Sequence, residues 1–209
     1  MSNRHFAVIA AAVAMVGSLG LARAEPVGSV VAARGEAALE RADGRSPAEA
    51  GAAVMLNDRA TTGDASRLDL KLGAATRLRL GANAVLKVDK FVGKLSARTT
   101  LEEGAVLIDR ANGAEKSFDL ETPYGLLSAR GTVFFAGPSR GVFGVFVQKG
   151  AVDVATRFGS VRLTAGEGVD FPPPRVVFLP GLLDSAPSEP GPVTKWGEKR
   201  IEEALASVH

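Results

Sequence analysis

The sequence predicts an all-β fold, many short strands in a two-sheet sandwich or short β-solenoid, followed by a Pro-rich strap and one C-terminal helix. Leucines 68, 70 and 72 alternate with Asp69 and Lys71, Leu78 and Leu80 with Arg77 and Arg79, and Leu86 and Val88 with Lys87 and Asp89. This is the period of two expected of half-buried strands. Glycine supplies 24 of 209 residues while tyrosine and tryptophan occur once each, a composition of turns and short strands rather than of a helical bundle. The pattern ends at Pro172, beyond which prolines crowd the chain until a helical spacing returns at residues 193–209.

In chain order, residues 1–24 join a basic start at Arg4, an apolar run from Phe6 to about Leu21, and the small-x-small site Ala22-Arg23-Ala24. This reads as a cleaved secretory signal, the run being shorter than the roughly 20 residues of a spanning helix. Its loss takes the 25 basic residues to 23 against 23 acidic ones, so the remaining 185-residue chain carries no formal net charge. Broad attraction to nucleic acid or anionic lipid gains no support from that balance. The chain has no cysteine, which excludes disulfides and lipid attachment at a thiol. A soluble periplasmic protein is expected, with no stable membrane insertion after cleavage.

Residues 27–39 read as two strands broken at Gly35, and residues 41–51, with Asp43-Gly44 and Ser46-Pro47, as a turn or loop. Residues 48–56 fit either a helical turn or a strand. The alternating runs at 68–88 recur every eight to ten residues, as in antiparallel strands of a sandwich or rungs of a solenoid. Breaks are expected at Gly93 and Gly104, a hairpin turn at Asn112-Gly113, and a reversal at Gly137-Pro138. Phe143, Val145 and Val147 share one face while Val142 and Phe146 take the other, the mark of a strand covered on both sides. Residues 172–192 are expected to form an extended strap whose apolar residues 176–179 dock back on the domain. In the final segment Val193, Trp196, Ile201, Ala204, Leu205 and Val208 make the apolar stripe of a short amphipathic helix.

Chemistry-bearing residues are few. The histidines are His5, inside the expected signal, and His209, so nucleophilic sites built on histidine or cysteine are excluded and a histidine metal site nearly so. Glu102-Glu103 and Glu202-Glu203 are sequence neighbours, and neighbours point to opposite faces of a strand and do not face each other on a helix, so neither pair forms an acid and base couple. No cofactor or metal is expected. Arg130, beside Gly131-Thr132, can present a guanidinium to an anion or pair with a carboxylate. The Thr132 hydroxyl suits a local backbone partner. Trp196 can anchor a partner, with Ile201 and Leu205 beside it, or pack on its own domain. Arg77, Arg79 and Lys87, set among Asp69, Lys71 and Asp89, read as a mixed solvent face.

The order of units is specific. Thr62-Gly63 precedes the alternating run; residues 101–106 surround Gly104; Thr122-Pro123-Tyr124-Gly125 leads to Gly131-Thr132-Val133-Phe134; and Gly150 and Ala165-Gly166 follow. Over residues 27–171 this order resembles the periplasmic FecR domain. The resemblance implies that Thr122, Pro123, Gly125, Gly131, Thr132, Phe134 and Gly150 are structural motif positions. FecR regulators also carry a sigma-factor-binding segment, a membrane helix and a transporter-facing domain, none of which is recognisable here. Asn57-Asp58 stands where the family often has Gly-Asp. The expectation is a non-enzymatic interaction or sensory module of the cell envelope, associated by resemblance with envelope signalling and iron-siderophore uptake. Its partner is expected to be an envelope protein or a cell-wall component; a structural, glycan-binding protein is the alternative and a carboxylate-dependent hydrolase a weaker one.

Overall fold

The computed structural model describes residues 25–92, 96–111, 117–173, 175–179, 182–186 and 189–209. The expected signal, the Gly93 break and the Asn112-Gly113 turn lie outside the described residues. The strands are β1 (Gly28–Arg34), β2 (Ala37–Arg41), β3 (Gly44–Pro47), β4 (Ala53–Val54), β5 (Arg59–Thr62), β6 (Arg67–Leu72), β7 (Thr76–Leu80), β8 (Val85–Val92), β9 (Ser96–Glu103) and β10 (Val106–Arg110). There follow β11 (Phe118–Thr122), β12 (Gly125–Ala129), β13 (Val133–Ser139), β14 (Val142–Lys149), β15 (Ala151–Thr156), β16 (Gly159–Thr164), β17 (Glu167–Phe171), β18 (Arg175–Leu179), β19 (Leu182–Ala186) and β20 (Thr194–Lys195), with helix α1 (Glu198–Ala206) last.

Two open nine-stranded sheets hold most of these strands. The first runs β20-β17-β14-β13-β10-β7-β6-β1-β4 and the second β16-β15-β12-β11-β9-β8-β5-β2-β3. Among the described residues strand β18 pairs with β19 alone, so part of the expected extended strap is a hairpin of its own. The chain lays β6 and β7 in the first sheet, β8 and β9 in the second, and continues to alternate, so each sheet grows in chain order apart from its edge strands β4 and β3. Described pairings are antiparallel except β9 with β11. Inward residues of both sheets, among them Leu70, Leu78, Leu86, Leu101, Phe118, Leu127, Phe134 and Val152, form a single buried cluster. The alternation seen in sequence is therefore the inner face of each sheet meeting the other.

Several elements depart from the sequence reading. The polar stretch at 41–51 contains β3, which has poor strand propensity but gains ladder bonds from β2 as an exposed edge. The ambiguous stretch at 48–56 holds only the two-residue strand β4. Strands β10 and β11, on either side of Asn112-Gly113, belong to different sheets and so form no hairpin. Gly137-Pro138 lies inside β13, and the reversal comes at Arg140-Gly141, with φ of 54° and 83° as a two-residue hairpin loop requires. Gly137 is needed for close approach, because a Cβ there would lie 2.5 Å from Ala105. Pro138 falls beyond the last β10 pair, Val106 with Ala136, so that ladder loses no donor.

A buried carboxylate ties the first strands together. Asp58, 1% exposed, accepts Arg41 Nε at 2.7 Å, Arg41 Nη2 at 2.9 Å and the Met55 amide at 2.8 Å. Arg41 also donates to the Ala53 carbonyl at 2.6 Å, joining β2 to β4 and the start of β5. Asn57 has φ of 67°, a left-handed conformation that asparagine tolerates almost as glycine does, which accounts for asparagine where the family often has glycine. Replacing Asp58 by Asn keeps the volume and removes the charge that both guanidinium bonds need. It should lower stability by about 2 kcal/mol, measured by urea denaturation with an unchanged m-value.

Candidate functional site

The outer face of the first sheet carries a second apolar cluster, formed by Ala105, Leu107, Phe135, Phe146, Trp196, Ala204 and Val208. Strand β14 makes it possible. Phe143, Val145 and Val147 face the inter-sheet core, while Gly144 and Phe146 face out under the C-terminal segment. The double covering expected of this strand is present, with Gly144 as its most consequential outward residue.

Trp196 is 6% exposed and lies on its own domain. Its ring stacks on Phe146 at 5.2 Å between centroids and tilts against Phe135 at 6.5 Å. The indole fits because the strands beneath it lack side chains. A Cβ on Gly144 would stand 2.8 Å from the ring, and one on Gly168 only 2.4 Å from Nε1; further along, one on Gly81 would meet the Ser207 carbonyl at 2.5 Å. These outward glycines on different parts of the sheet make a trough for the C-terminal segment. Arg200 caps the arrangement: its guanidinium carbon lies 3.6 Å from the indole centroid, its Nη1 and Nη2 donate to Asp170 at 2.9 and 2.5 Å, and its Nε donates to Ser139 at 3.2 Å.

Other features weaken this docking. Among the described residues Trp196 Nε1 is buried with no hydrogen-bond partner, a loss of about 1–3 kcal/mol. That offsets much of the roughly 0.5–1.5 kcal/mol of an aromatic pair and the ~2 kcal/mol of a desolvated cation–π contact. Helix α1 has nine residues, begins after Gly197 with no side-chain cap, and has no basic residue in its last turn. A helix this short is marginal alone, so its structure depends on the sheet beneath it. It starts later than the sequence stripe suggested: Val193 and Trp196 precede it, because β20 first pairs with β17. Ile201 and Leu205 pack half-buried at the margin of the cluster.

The motif positions serve the turns and the core. Thr122 Oγ1 accepts the amides of Tyr124 and Gly125, each at 3.2 Å, and donates to the Gly125 carbonyl at 2.9 Å, closing the turn at Pro123-Tyr124. Tyr124 then stacks on Phe143 at 4.7 Å, so a turn of the second sheet holds a strand of the first. Thr132 Oγ1 lies 2.9 Å from the Ala151 carbonyl and 3.1 Å from that of Arg130, while Gly150 leaves room for it, since a Cβ there would sit 2.9 Å away. Gly131 has φ of 62° and Phe134 is fully buried in the inter-sheet core. Arg130 is exposed, with no ion pair among the described residues, and lies apart from Trp196, Ile201 and Leu205 in the chain's architecture, on the link between β12 and β13. Sequence reasoning missed Gly144, Gly168, Asp170 and Arg200; the available signal was glycine at an outward position in strands otherwise rich in valine and phenylalanine.

Two outcomes follow. Gly144→Val places methyl groups where the indole lies, so the emission of the lone tryptophan should shift to the red and become accessible to acrylamide, with the β circular dichroism retained. Glu203 accepts Arg140 Nε at 2.8 Å, and that hydrogen bond, followed by the charges of Arg140, Lys199 and Arg200, holds its carboxyl below the ordinary value of 4.5. A depressed folded value means that the pair contributes above the ordinary value and is lost as pH falls through the folded one. Acidification from about pH 5 toward about pH 3 should therefore loosen the segment, seen as a shift in Trp196 emission that Glu203→Gln reduces.

Comparison with known proteins places this architecture. Residues 58–153 match a family model described as FecR protein, from the buried Asp58 to within β15, a narrower span than residues 27–171 of the sequence resemblance. No curated protein matches the chain. Two crystal structures of a candidate anti-sigma factor from Parabacteroides distasonis ATCC 8503 align at 18% identity over 54% of this chain and 53% of theirs, with TM-scores of 0.48 and 0.47. The chain thus spans about half the length of that protein. Among the described residues no helix is long and apolar enough to cross a membrane. Residues 58–153 of this chain match the FecR family, in line with the resemblance read from the sequence.

Proposed function

We propose that this protein is an exported, non-enzymatic sensory or interaction module of the cell envelope, and that its C-terminal segment is the part that engages a partner. The FecR domain supports a signalling or regulatory role, and the family's association with envelope signalling and iron-siderophore uptake sets its context. The scarcity of histidine and the lack of cysteine support action by contact rather than by nucleophilic chemistry.

One observation carries the reading: the apolar hollow on the outer face of the first sheet is filled by the chain's own Trp196, with an indole N–H unpaired among the described residues and a short helix that starts without a side-chain cap. A segment with these weak points can exchange its own sheet for another apolar surface that pairs the indole N–H, and offers Trp196, Ile201 and Leu205 together when it does. Arg130, exposed beside the Gly131-Thr132 turn, supplies a separate polar contact. The partner is an envelope protein.

Crosslinking in the intact periplasm tests this with two variants that act in opposite directions. Gly144→Val frees the segment with its tryptophan intact and should raise the yield of the crosslinked partner several-fold, whereas Trp196→Ala should lower it. Equal yields from both variants and the unaltered chain sink the proposal. Sedimentation with purified peptidoglycan and no protein crosslink moves the function to cell-wall glycan.

A further inference from the structure

The outer face of the first sheet is only partly covered. The C-terminal segment occupies the side formed by β10, β13, β14 and β17, and its last residues reach only the border of the side formed by β1, β6 and β7, where Arg67 donates to the Ala206 carbonyl at 3.4 Å and Val208 and His209 line the rim. From that open side project Arg34, Arg67, Lys71, Arg77 and Arg79, beside two carboxylates, Asp69 and Asp109 of the adjoining β10. Two shallow hollows meet there, one lined by Arg34, Arg67, Asp69 and Arg79 and the other by Arg77, Arg79, Asp109 and Lys149.

The register of these cations is unusual. Arg79 stands opposite Asp69 and Arg77 opposite Asp109, neither within ion-pair distance, while Arg34 stands directly opposite Arg67, and Lys71 directly opposite Arg77. Like charges so placed destabilise a sheet. The other sheet shows how the same chain neutralises its cations. There Glu40 lies opposite both Arg45 and Arg59, Arg98 opposite Asp119, and Arg162 opposite Asp153, each within ion-pair distance. Arg59 also stands opposite Lys87, but Arg59 is paired with Glu102 and Lys87 with Asp89 at 2.8 Å. On the open face no ion pair within 4 Å reaches Arg34, Arg67, Lys71, Arg77 or Arg79 among the described residues; Arg79 donates instead to the His209 ring at 3.1 Å and Arg67 to the Ser66 carbonyl at 2.7 Å. The sequence reading grouped Arg77 and Arg79 with Lys87 as one mixed face, whereas the fold puts Lys87 on the other sheet beside its own carboxylate.

We propose that the open face of β1, β6 and β7 binds an acidic polypeptide segment whose carboxylates are separated by neutral residues. Guanidinium groups match carboxylates as paired donors. Asp69 and Asp109, set among the cations, repel a polymer charged at every unit and admit one whose charges fall only at intervals. Outward residues of a strand recur about every 6.8 Å, the same interval as alternate side chains of an extended peptide. This deepens the reading of the protein as a binding module by giving the partner's chemistry, and Arg34, Lys71 and Arg77 meet the peptide without displacing the contacts that Arg67 and Arg79 make to Ala206 and His209.

The test uses the chain lacking residues 1–24 and fluorescence anisotropy with a labelled twelve-residue peptide of alternating Glu and Ser, alongside a Gln and Ser control and inorganic polyphosphate. Binding of the Glu peptide alone, weakening as salt rises, is expected. The double variant Arg34→Glu/Lys71→Glu replaces both like-charge oppositions by attractive ones. It should bind the peptide about tenfold more weakly and yet melt roughly 1–4 °C higher. No binding of the Glu peptide, equal binding of polyphosphate, or a variant that binds as before overturns the proposal; a variant that melts lower removes the argument from register. An unaltered chain that fails to bind the peptide but still crosslinks an envelope protein sinks the arginine face alone and leaves the module reading intact.

Discussion

Leucines at every second position demand a surface to meet, and the structure meets that demand by placing two open sheets face to face. Each sheet is a poor fold alone, because one of its faces is a continuous apolar band. Together they bury that band in one cluster running from Val30 to Phe171. The alternation of hairpins between sheets follows from it, since a chain that added several hairpins to one sheet would leave their inner faces uncovered. So does the role of Tyr124, which reaches from a turn of one sheet onto Phe143 and, at 5.4 Å, Phe171 of the other.

A second constraint works on top of the first. Strand β14 is apolar on both faces and cannot be satisfied by the inter-sheet core alone. The chain covers its outer face with the last segment, and glycines rather than larger residues at 144 and 168 let a tryptophan lie against the backbone. The Arg200–Asp170 pair and the stack on Phe146 hold the segment; the indole N–H, unpaired among the described residues, and the lack of a side-chain cap at the helix start oppose it. The open arginine face lies on the same sheet beside this cover.

Much of this was legible from residue order alone. Period two located β6, β7 and β8, and the unbroken apolar run at Val142 to Val147 marked a strand with two covered faces. What was not legible is instructive. Gly137-Pro138 carries the ordinary signature of a turn, yet its glycine answers a crowded neighbour, Ala105, and a one-dimensional pattern contains no neighbours. Arg77, Arg79 and Lys87 form a single row in sequence because nothing there says that the chain changes sheets between β7 and β8. The trough was hidden for the same reason: glycines at 81, 144 and 168 are unremarkable until three separate stretches of chain lie under one segment.

The orderly growth of both sheets along the chain has a bearing on how the molecule is made. Each new hairpin finds its neighbouring strand already in place, so assembly can proceed outward from the amino-terminal end without waiting for distant partners, as in a repeat protein adding one unit at a time. Loss of residues from the carboxyl end would shorten such a stack and bare a fresh edge instead of emptying a shared interior. The segment carrying Trp196 follows the sheets it covers, so the finished outer surface forms only after both sheets have grown past β17.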